Sequence, residues 1–438
     1  MKIIYTLNNF LPQQVAGTEV YVLTLAKEMQ RIGNDVTILI PNFEKFENDT
    51  YVFESLKVIK FAEPTVLNRG IIAGNIIPDG VVNFIKIVKD IQPDIIHFHT
   101  IGGSNGVSIH HLREAKKINT AIVLTFHLAG YTCITNNLLY KNKIPCNGFV
   151  NILKCTKCVY TDKGLGSLKK NILFKIAAIA FKLNYNTRHW NNSIGTAISY
   201  PFVIKENKTK LLEMVDFADK IIVLTKWYKN VLEINGITSQ KLYYIPQGVP
   251  GQPLIKVLNN NSIILKLVFV GRISETKGLH LLIKAIEKIP VGEISLDIFG
   301  PVNDEIYARK WIKYSASNKN IKWMGVIQPS EMVPTLANYD LLCLPSIICE
   351  MSPLVIQEAF AAGLPVIASN VYGNAEQITE GVNGWLFEFN NSIHLAEKLT
   401  NLINNYSLID QARLNLPIPY NFNSIALEHI KLYKEVSK

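Results

Sequence analysis

Nowhere in the 438 residues does an apolar run approach the ~20 residues that a helix needs to cross a bilayer. The first ten residues hold one basic side chain and too short an apolar stretch for a secretory signal; they read as a β-strand, and the expected location is the cytoplasm. Repeats and long disordered tails are absent, and 48% hydrophobic against 18% charged residues describes a soluble, somewhat apolar globular chain. Acidic residues are in deficit, leaving a net charge of +10. Nucleic acid, anionic lipid and nucleotide phosphates would all suit that charge. With no helix-turn-helix, zinc-finger or RNA-recognition signature, no nucleic-acid partner is expected. An Asp-x-Asp pair to carry a divalent metal is also missing.

What is present is a chain long enough for two domains, each with its own core. Short β-branched runs (K-I-I-Y-T-L, D-V-T-I-L-I-P, D-I-I-H-F-H-T, A-I-V-L-T-F-H) alternate with helical stretches such as 19–32 and 81–91. A second alternating series runs through L-K-L-V-F-V, I-S-L-D-I-F, N-I-K-W-M, D-L-L-C-L-P, P-V-I-A-S and G-W-L-F. The fold class is therefore α/β, with doubly wound parallel sheets whose ligands sit beyond the carboxyl ends of the strands. The expected division is 1–250, a Pro/Gly/Asn-rich linker at 251–263, 264–415, and a terminal helix within 416–438. Between 128 and 205 the alternation breaks, and the segment reads as an insertion.

The chain is organised around the stretch from Cys349 to Ser369. Glu350 and Glu358 are separated by seven residues, with Ser352 and Pro353 placed as N-cap and first helical position. A helix N-terminus suits a phosphate, and a carboxylate one turn further on suits a sugar diol. Without more, a surface Glu pair flanking a core helix would fit as well. Upstream, F-V-G-R-I-S-E-T-K-G places Arg272 and Lys277 in one loop. Together these stretches resemble the E-x7-E signature and cationic loop of the retaining glycosyltransferases of family 4, which have the GT-B fold of two Rossmann-like domains facing a cleft.

The resemblance implies a catalytic set of His127, Arg272, Lys277 and Glu350. It implies a donor-binding set of Gly17, Thr18, Gly271, Ser352, Pro353, Leu354 and Glu358. Arg272 and Lys277 would neutralise the donor diphosphate, Glu350 would meet the transferred sugar and Glu358 the ribose. Ala16-Gly17-Thr18-Glu19 departs from the family's Gly-Gly-x-Glu at its first position. Leu128 stands where an acidic neighbour of His127 is common. His97 and His99 share one side of a strand, but no third metal ligand of fitting spacing follows.

The insertion contains Cys133, Cys146, Cys155 and Cys158. The two-residue gap of the last pair lets both thiolates reach one tetrahedral metal, and a structural zinc is expected, with an iron–sulfur cluster or free thiols as alternatives. Next comes L-G-S-L-K-K-N-I-L-F-K-I-A-A-I-A-F-K-L, with Lys169, Lys170, Lys175 and Lys182 among apolar residues. Such a helix docks on an anionic membrane surface or packs along the acceptor cleft. The expectation is a hexosyl-type glycosyltransferase moving a sugar from a nucleotide diphosphate sugar (UDP favoured) to a glycan or lipid-linked acceptor. It would act in surface polysaccharide or glycolipid synthesis, peripheral on the inner face of the membrane and without a catalytic metal. The alternatives are a sugar-nucleotide epimerase of the same fold and a silent membrane-docking scaffold.

Overall fold

A computed structural model of the chain describes residues 1–63, 70, 76–102, 106–249 and 264–437. The expected linker at 251–263 lies outside the described residues. The first sheet contains β1 (Lys2–Thr6), β2 (Asp35–Asn42), β3 (Asp49–Phe53), β4 (Leu56–Ala62), β5 (Ile95–Phe98) and β6 (Ala121–Phe126). A separate two-stranded hairpin of β7 (Leu139–Tyr140) and β8 (Ile144–Pro145) follows; β9 (Lys220–Val223) and β10 (Leu242–Tyr244) then return to the sheet. Its order is β10-β9-β6-β5-β1-β2-β4-β3, parallel except for the β3–β4 hairpin. The second sheet is built from β11 (Leu265–Val270), β12 (Ile294–Phe299), β13 (Ile321–Gly325), β14 (Leu341–Leu344), β15 (Val366–Ser369) and β16 (Gly384–Phe387). It is parallel throughout, in the order β13-β12-β11-β14-β15-β16.

The inner strands form because they are buried on both faces: β5, β14 and β15 are buried at every residue, whereas the edge strands β3 and β13 are largely exposed or half-buried. Near-continuous Val, Ile and Leu then favour parallel pairing under helices on each side. The chain order reverses between β1 and β5 in the first sheet and between β11 and β14 in the second. Loops leaving adjacent strands at such a reversal diverge to opposite faces and open a crevice between them.

Two features differ from the sequence reading. The hairpin β3–β4 was not anticipated, because its turn is Glu54-Ser55, both at positive φ, with no Gly or Asn to mark it. A long helix starts at Ser193, inside the segment read as an insertion, and runs to Phe217 through Pro201. Residues 128–205 also hold the helices Ile152–Asp162 and Ser167–Lys182. The last helix, Phe422–Val436, lies on the first sheet: Phe422, Ile425, Ala426, Leu432 and Tyr433 share a core with Ile3, Tyr5 and Tyr21.

Candidate functional site

At the reversal of the second sheet, the loop after β11 meets the loop after β14. Lys277 ends a tight turn, and Gly278 follows at φ +68°, a left-handed conformation that costs glycine nothing. A Cβ on Gly278 would lie 1.8 Å from the Pro345 carbonyl oxygen, so the two loops touch backbone to backbone. This approach brings Lys277 Nζ to 2.6 Å from Glu350 Oε1. The Ser346 hydroxyl donates to the same oxygen at 2.7 Å. Burial alone would raise the Glu350 pKa. The Lys277 charge and hydrogen bond, the Ser346 hydroxyl and the Arg272 charge outweigh it and hold Glu350 below the usual carboxylate range. Arg272 is exposed on the same loop, next to Gly271.

The helix after Glu350 spans Leu354–Ala361 and begins one residue later than expected. Pro353 has ψ 114°, which is extended, so it is the N-cap and not the first helical residue, and Ser352 precedes the cap. No side chain caps this first turn, nor that of Gly17–Arg31, whereas Asn151, Asp304, Asn391 and Asn421 cap helices elsewhere. The free N–H groups of Leu354 and its neighbours suit an anion. Glu358 lies ~7–8 Å further along the axis. It is buried, its carboxylate has no hydrogen-bond partner among the described residues, and burial pushes its pKa up to about 7.

The first domain supplies different chemistry. Gly17 opens its helix, is exposed, and has no protein atom within 4 Å of where a Cβ would stand; Thr18 is half-buried beside it. Glu19 is buried, with Oε1 taking a bond from Gln14 Nε2 at 2.9 Å and Oε2 unpartnered. His127, at the end of β6, has its Nε2 3.1 Å from His99 Nδ1. His99 thus supplies the partner that Leu128 cannot. His97 is bound at both nitrogens, to Tyr433 Oη at 2.6 Å and Thr125 Oγ1 at 2.7 Å. Burial drives these histidines far down, and neighbouring imidazoles add to it at His97, His99 and His127: His127 falls to about 3 and His429 to about 4, with His97 and His99 also well below normal. All four are neutral at physiological pH.

Several residues that the sequence reading passed over bind the two halves together. Cys349 N–H donates to the Asn137 carbonyl at 3.0 Å, and its Sγ lies 3.4 Å from the Leu138 carbonyl oxygen. Trp227 Nε1 donates to the Met351 carbonyl at 3.2 Å while its ring stacks on Tyr372. The Glu376 carboxylate accepts from the N–H groups of Lys226 and Trp227, both at 2.7 Å, and so caps a helix of the first domain from the second. No sequence pattern announces these contacts, since each joins residues more than a hundred positions apart.

The four insertion cysteines are reduced and half-buried. Burial pushes the Cys155 thiol up to about 11, with Cys158, Cys133 and Cys146 close enough to add to the effect. Among the described residues no three His, Cys, Asp or Glu side chains converge as a metal site. The expected zinc ligands are therefore neighbours, without the geometry of a closed centre.

A family model described as Glycosyl transferases group 1 matches residues 255–415, and one described as Glycosyltransferase Family 4 matches residues 15–153. The chain is 27% identical over 341 residues to an uncharacterized glycosyltransferase of Methanocaldococcus jannaschii, covering 74% of this chain and 90% of that one. It is 26% identical over 200 residues to the amylovoran biosynthesis glycosyltransferase AmsK of Erwinia amylovora, covering 44% of this chain and 49% of AmsK. Among solved structures, HepE of Anabaena in complex with UDP-glucose superposes with a TM-score of 0.61 at 15% identity, over 99% of this chain and 100% of that one. The fold is GT-B.

The loop contact generates a stability prediction. Gly278→Ala must both adopt a strained φ and displace Pro345. It should cost about 2–4 kcal/mol in denaturant unfolding and weaken nucleotide binding. A variant as stable as the parent would show that the two loops do not depend on this approach.

Proposed function

We propose that this chain, supported as a GT-B glycosyltransferase by its two family-model matches and its named relatives, transfers a sugar from a nucleotide diphosphate sugar to an acceptor hydroxyl with retention of configuration. One observation carries the reading: the Lys277–Glu350 pair stands at the uncapped mouth of the helix that holds the buried, unpartnered Glu358. Breaking the glycosidic phosphate bond develops negative charge on the diphosphate and positive charge on the sugar. Lys277, Arg272 and the N–H groups from Leu354 onward meet the first, with Ser352 and Pro353 shaping the entry. Glu350, ionised, accepts hydroxyls of the transferred sugar, and Glu358 accepts the ribose diol. Gly17 and Thr18 present backbone from the opposite domain.

Neutral His127 offers an N–H rather than a charge beside the leaving group. No paired carboxylate set like that of retaining glycosidases is assigned here, and the leaving phosphate itself assists attack on the same face. The reaction as proposed uses no catalytic metal. UDP is favoured as the donor base because HepE, of the same fold, was solved with UDP-glucose. A glycan or lipid-linked acceptor in polysaccharide synthesis is favoured by the likeness to AmsK.

A thermal-shift screen of UDP-, GDP- and ADP-sugars tests the donor site, since a ligand that binds only the native state raises the midpoint. One nucleotide series should shift it, and Glu358→Ala should abolish the shift. No shift with any donor would remove the basis for the proposal. A donor sugar interconverted with no acceptor present would instead mark an epimerase.

Glu358 also sets a pH dependence. Its carboxyl stays protonated up to about 7 in the folded chain against 4.5 ordinarily, so the unfolded chain loses that proton first. Ligand-free stability should therefore fall as pH rises from 4.5 through about 7. Ribose hydroxyls favour the ionised form, so UDP-glucose affinity should rise across the upper part of that window. Glu358→Gln should flatten both curves, and a parent with flat curves would contradict the assignment.

Lys277→Ala should lower turnover by about 10²–10³-fold if the cation meets charge that grows in the transition state. Steady-state transfer assays check this, and an unchanged kcat would dismiss the role.

A structural zinc at Cys133, Cys146, Cys155 and Cys158 is proposed separately, on the neighbourhood of the four thiols. Binding would ionise them and draw the side chains inward from their present positions. Purified protein should then hold about one zinc per chain; less than about a tenth of one would end the idea.

A further inference from the structure

The helix Ser167–Lys182 has two apolar faces, and only one is used within the molecule. Ala177 and Ala180 are buried against Ile198, with Leu173 beside them, and hold the helix to its neighbours. On the opposite side stand Leu168, Ile172, Ile176, Ile179 and Leu183, each between 44% and 76% exposed. At 100° per residue these five fall within an arc of about 80°. Core packing would not leave a stripe of branched aliphatics outward at helical spacing, and a solvated face would carry charges there.

Charges are present at its borders. On the same wheel Lys175 and Lys182 fall on one edge of the arc and Lys169 on the other. None of the three forms an ion pair among the described residues, whereas Lys27, Arg31 and Lys117, exposed elsewhere, each pair with a glutamate. From residue 163 to 205 there are six Lys and one Arg and no Asp or Glu. Tyr185 and Trp190 are exposed just beyond the helix, with rings 6.4 Å apart. A protein partner of mixed charge would select a patch of mixed sign. An all-cationic rim around an aliphatic ridge, followed by amphipathic aromatics, complements a layer of anionic headgroups over hydrocarbon.

We infer that the outer face of Ser167–Lys182 seats this chain on an anionic phospholipid bilayer, with Leu168, Ile172, Ile176, Ile179 and Leu183 entering the acyl boundary and Lys169, Lys175 and Lys182 at the phosphates. The inference does not rest on the transferase reading, because lipid binding is measured without donor or acceptor. No helix among the described residues is long and apolar enough to span the bilayer, so the contact lies in its surface.

The experiment is flotation of the full chain with vesicles of phosphatidylglycerol and phosphatidylcholine, against vesicles of phosphatidylcholine alone. The parent should float with the anionic vesicles at low salt and lose at least about tenfold in partition at ~0.5 M salt. Ile172→Asp/Ile179→Asp should lose at least about tenfold at low salt, with its thermal midpoint and nucleotide-induced shift retained. Should that variant unfold, Lys169→Glu/Lys182→Glu, which changes only exposed side chains, should show the same loss. Absence of flotation at low salt, equal flotation with neutral vesicles, or variants that float like the parent would overturn the inference. So would a parent dimer that dissociates in the variant, since the ridge would then bind a second copy.

Discussion

The ion pair between Lys277 and Glu350 is the contact around which the second domain is arranged. Both side chains are mostly buried, at 16% and 13% exposure, where removing a charge from water costs several kcal/mol. Mutual attraction, the Ser346 hydroxyl and the Arg272 charge offset that cost, and the depressed Glu350 pKa records the result. The pair can exist only because β11 and β14 are adjacent in the sheet while far apart in sequence. Gly278 then lets one loop come against Pro345 of the other. With one carboxylate among two cations, the loops keep a positive surplus, which in the proposed reaction faces the diphosphate. The cation is positioned beforehand, so no reorganisation is needed when charge develops.

That arrangement is not held by the second domain alone. The residue before Glu350 is tied to Asn137 and Leu138, and the residue after it to Trp227. Gly373 packs so closely beneath that a Cβ would lie 2.0 Å from the Glu350 carbonyl oxygen. The loop is therefore clamped between the hairpin region of the insertion, a helix start of the first domain, and its own domain. The Glu376 carboxylate on two N–H groups of a helix start is the strongest of these ties, being charge-assisted and aligned with the helix dipole. Any separation of the domains must break it. The geometry of Glu350 is thus a property of the closed molecule.

The second sheet was legible almost strand by strand, because parallel strands buried on both faces appear as unbroken apolar runs of about the right length. Glu350, Glu358, Arg272 and Lys277 were grouped only through the resemblance of their two stretches to a known family, since spacing alone fits a surface Glu pair equally well; the structure brings Lys277 and Glu350 into contact. The β3–β4 hairpin was not legible, since Glu54 and Ser55 adopt positive φ without the residue types that usually mark it. The helix Ser193–Phe217 was not legible either, because it begins inside the segment where the strand–helix alternation breaks and runs through Pro201. The lipid-facing ridge was only half legible. The lysines among apolar residues were visible, but which aliphatics face outward depends on Ala177 and Ala180 meeting Ile198. Partners such as His99 for His127, or Asn137 for Cys349, are set by sheet order and domain approach, which no local pattern encodes.

The two sides of the cleft divide the electrostatic work. The second domain contributes formal charges in a fixed array. The first contributes imidazoles that burial keeps neutral, His127 and His99 sharing one hydrogen bond and His97 fixed between Thr125 and Tyr433. In the proposed reaction that neutrality matters, because His127 would stand beside the sugar. An imidazolium there would attract the leaving diphosphate away from Lys277 and repel positive charge growing at the anomeric carbon, whereas a neutral N–H can follow an oxygen without either cost. Keeping His127 neutral requires that water and anions stay out of the cluster. The last helix contributes to that burial: Phe422 and Tyr433 share a core with Tyr5 and Tyr21, and His429 Nε2 lies 3.4 Å from Tyr21 Oη. A segment at the far end of the chain therefore adds to what keeps a residue three hundred positions earlier neutral. Loosening that helix would act on the chemistry through the first domain while leaving the donor site of the second intact.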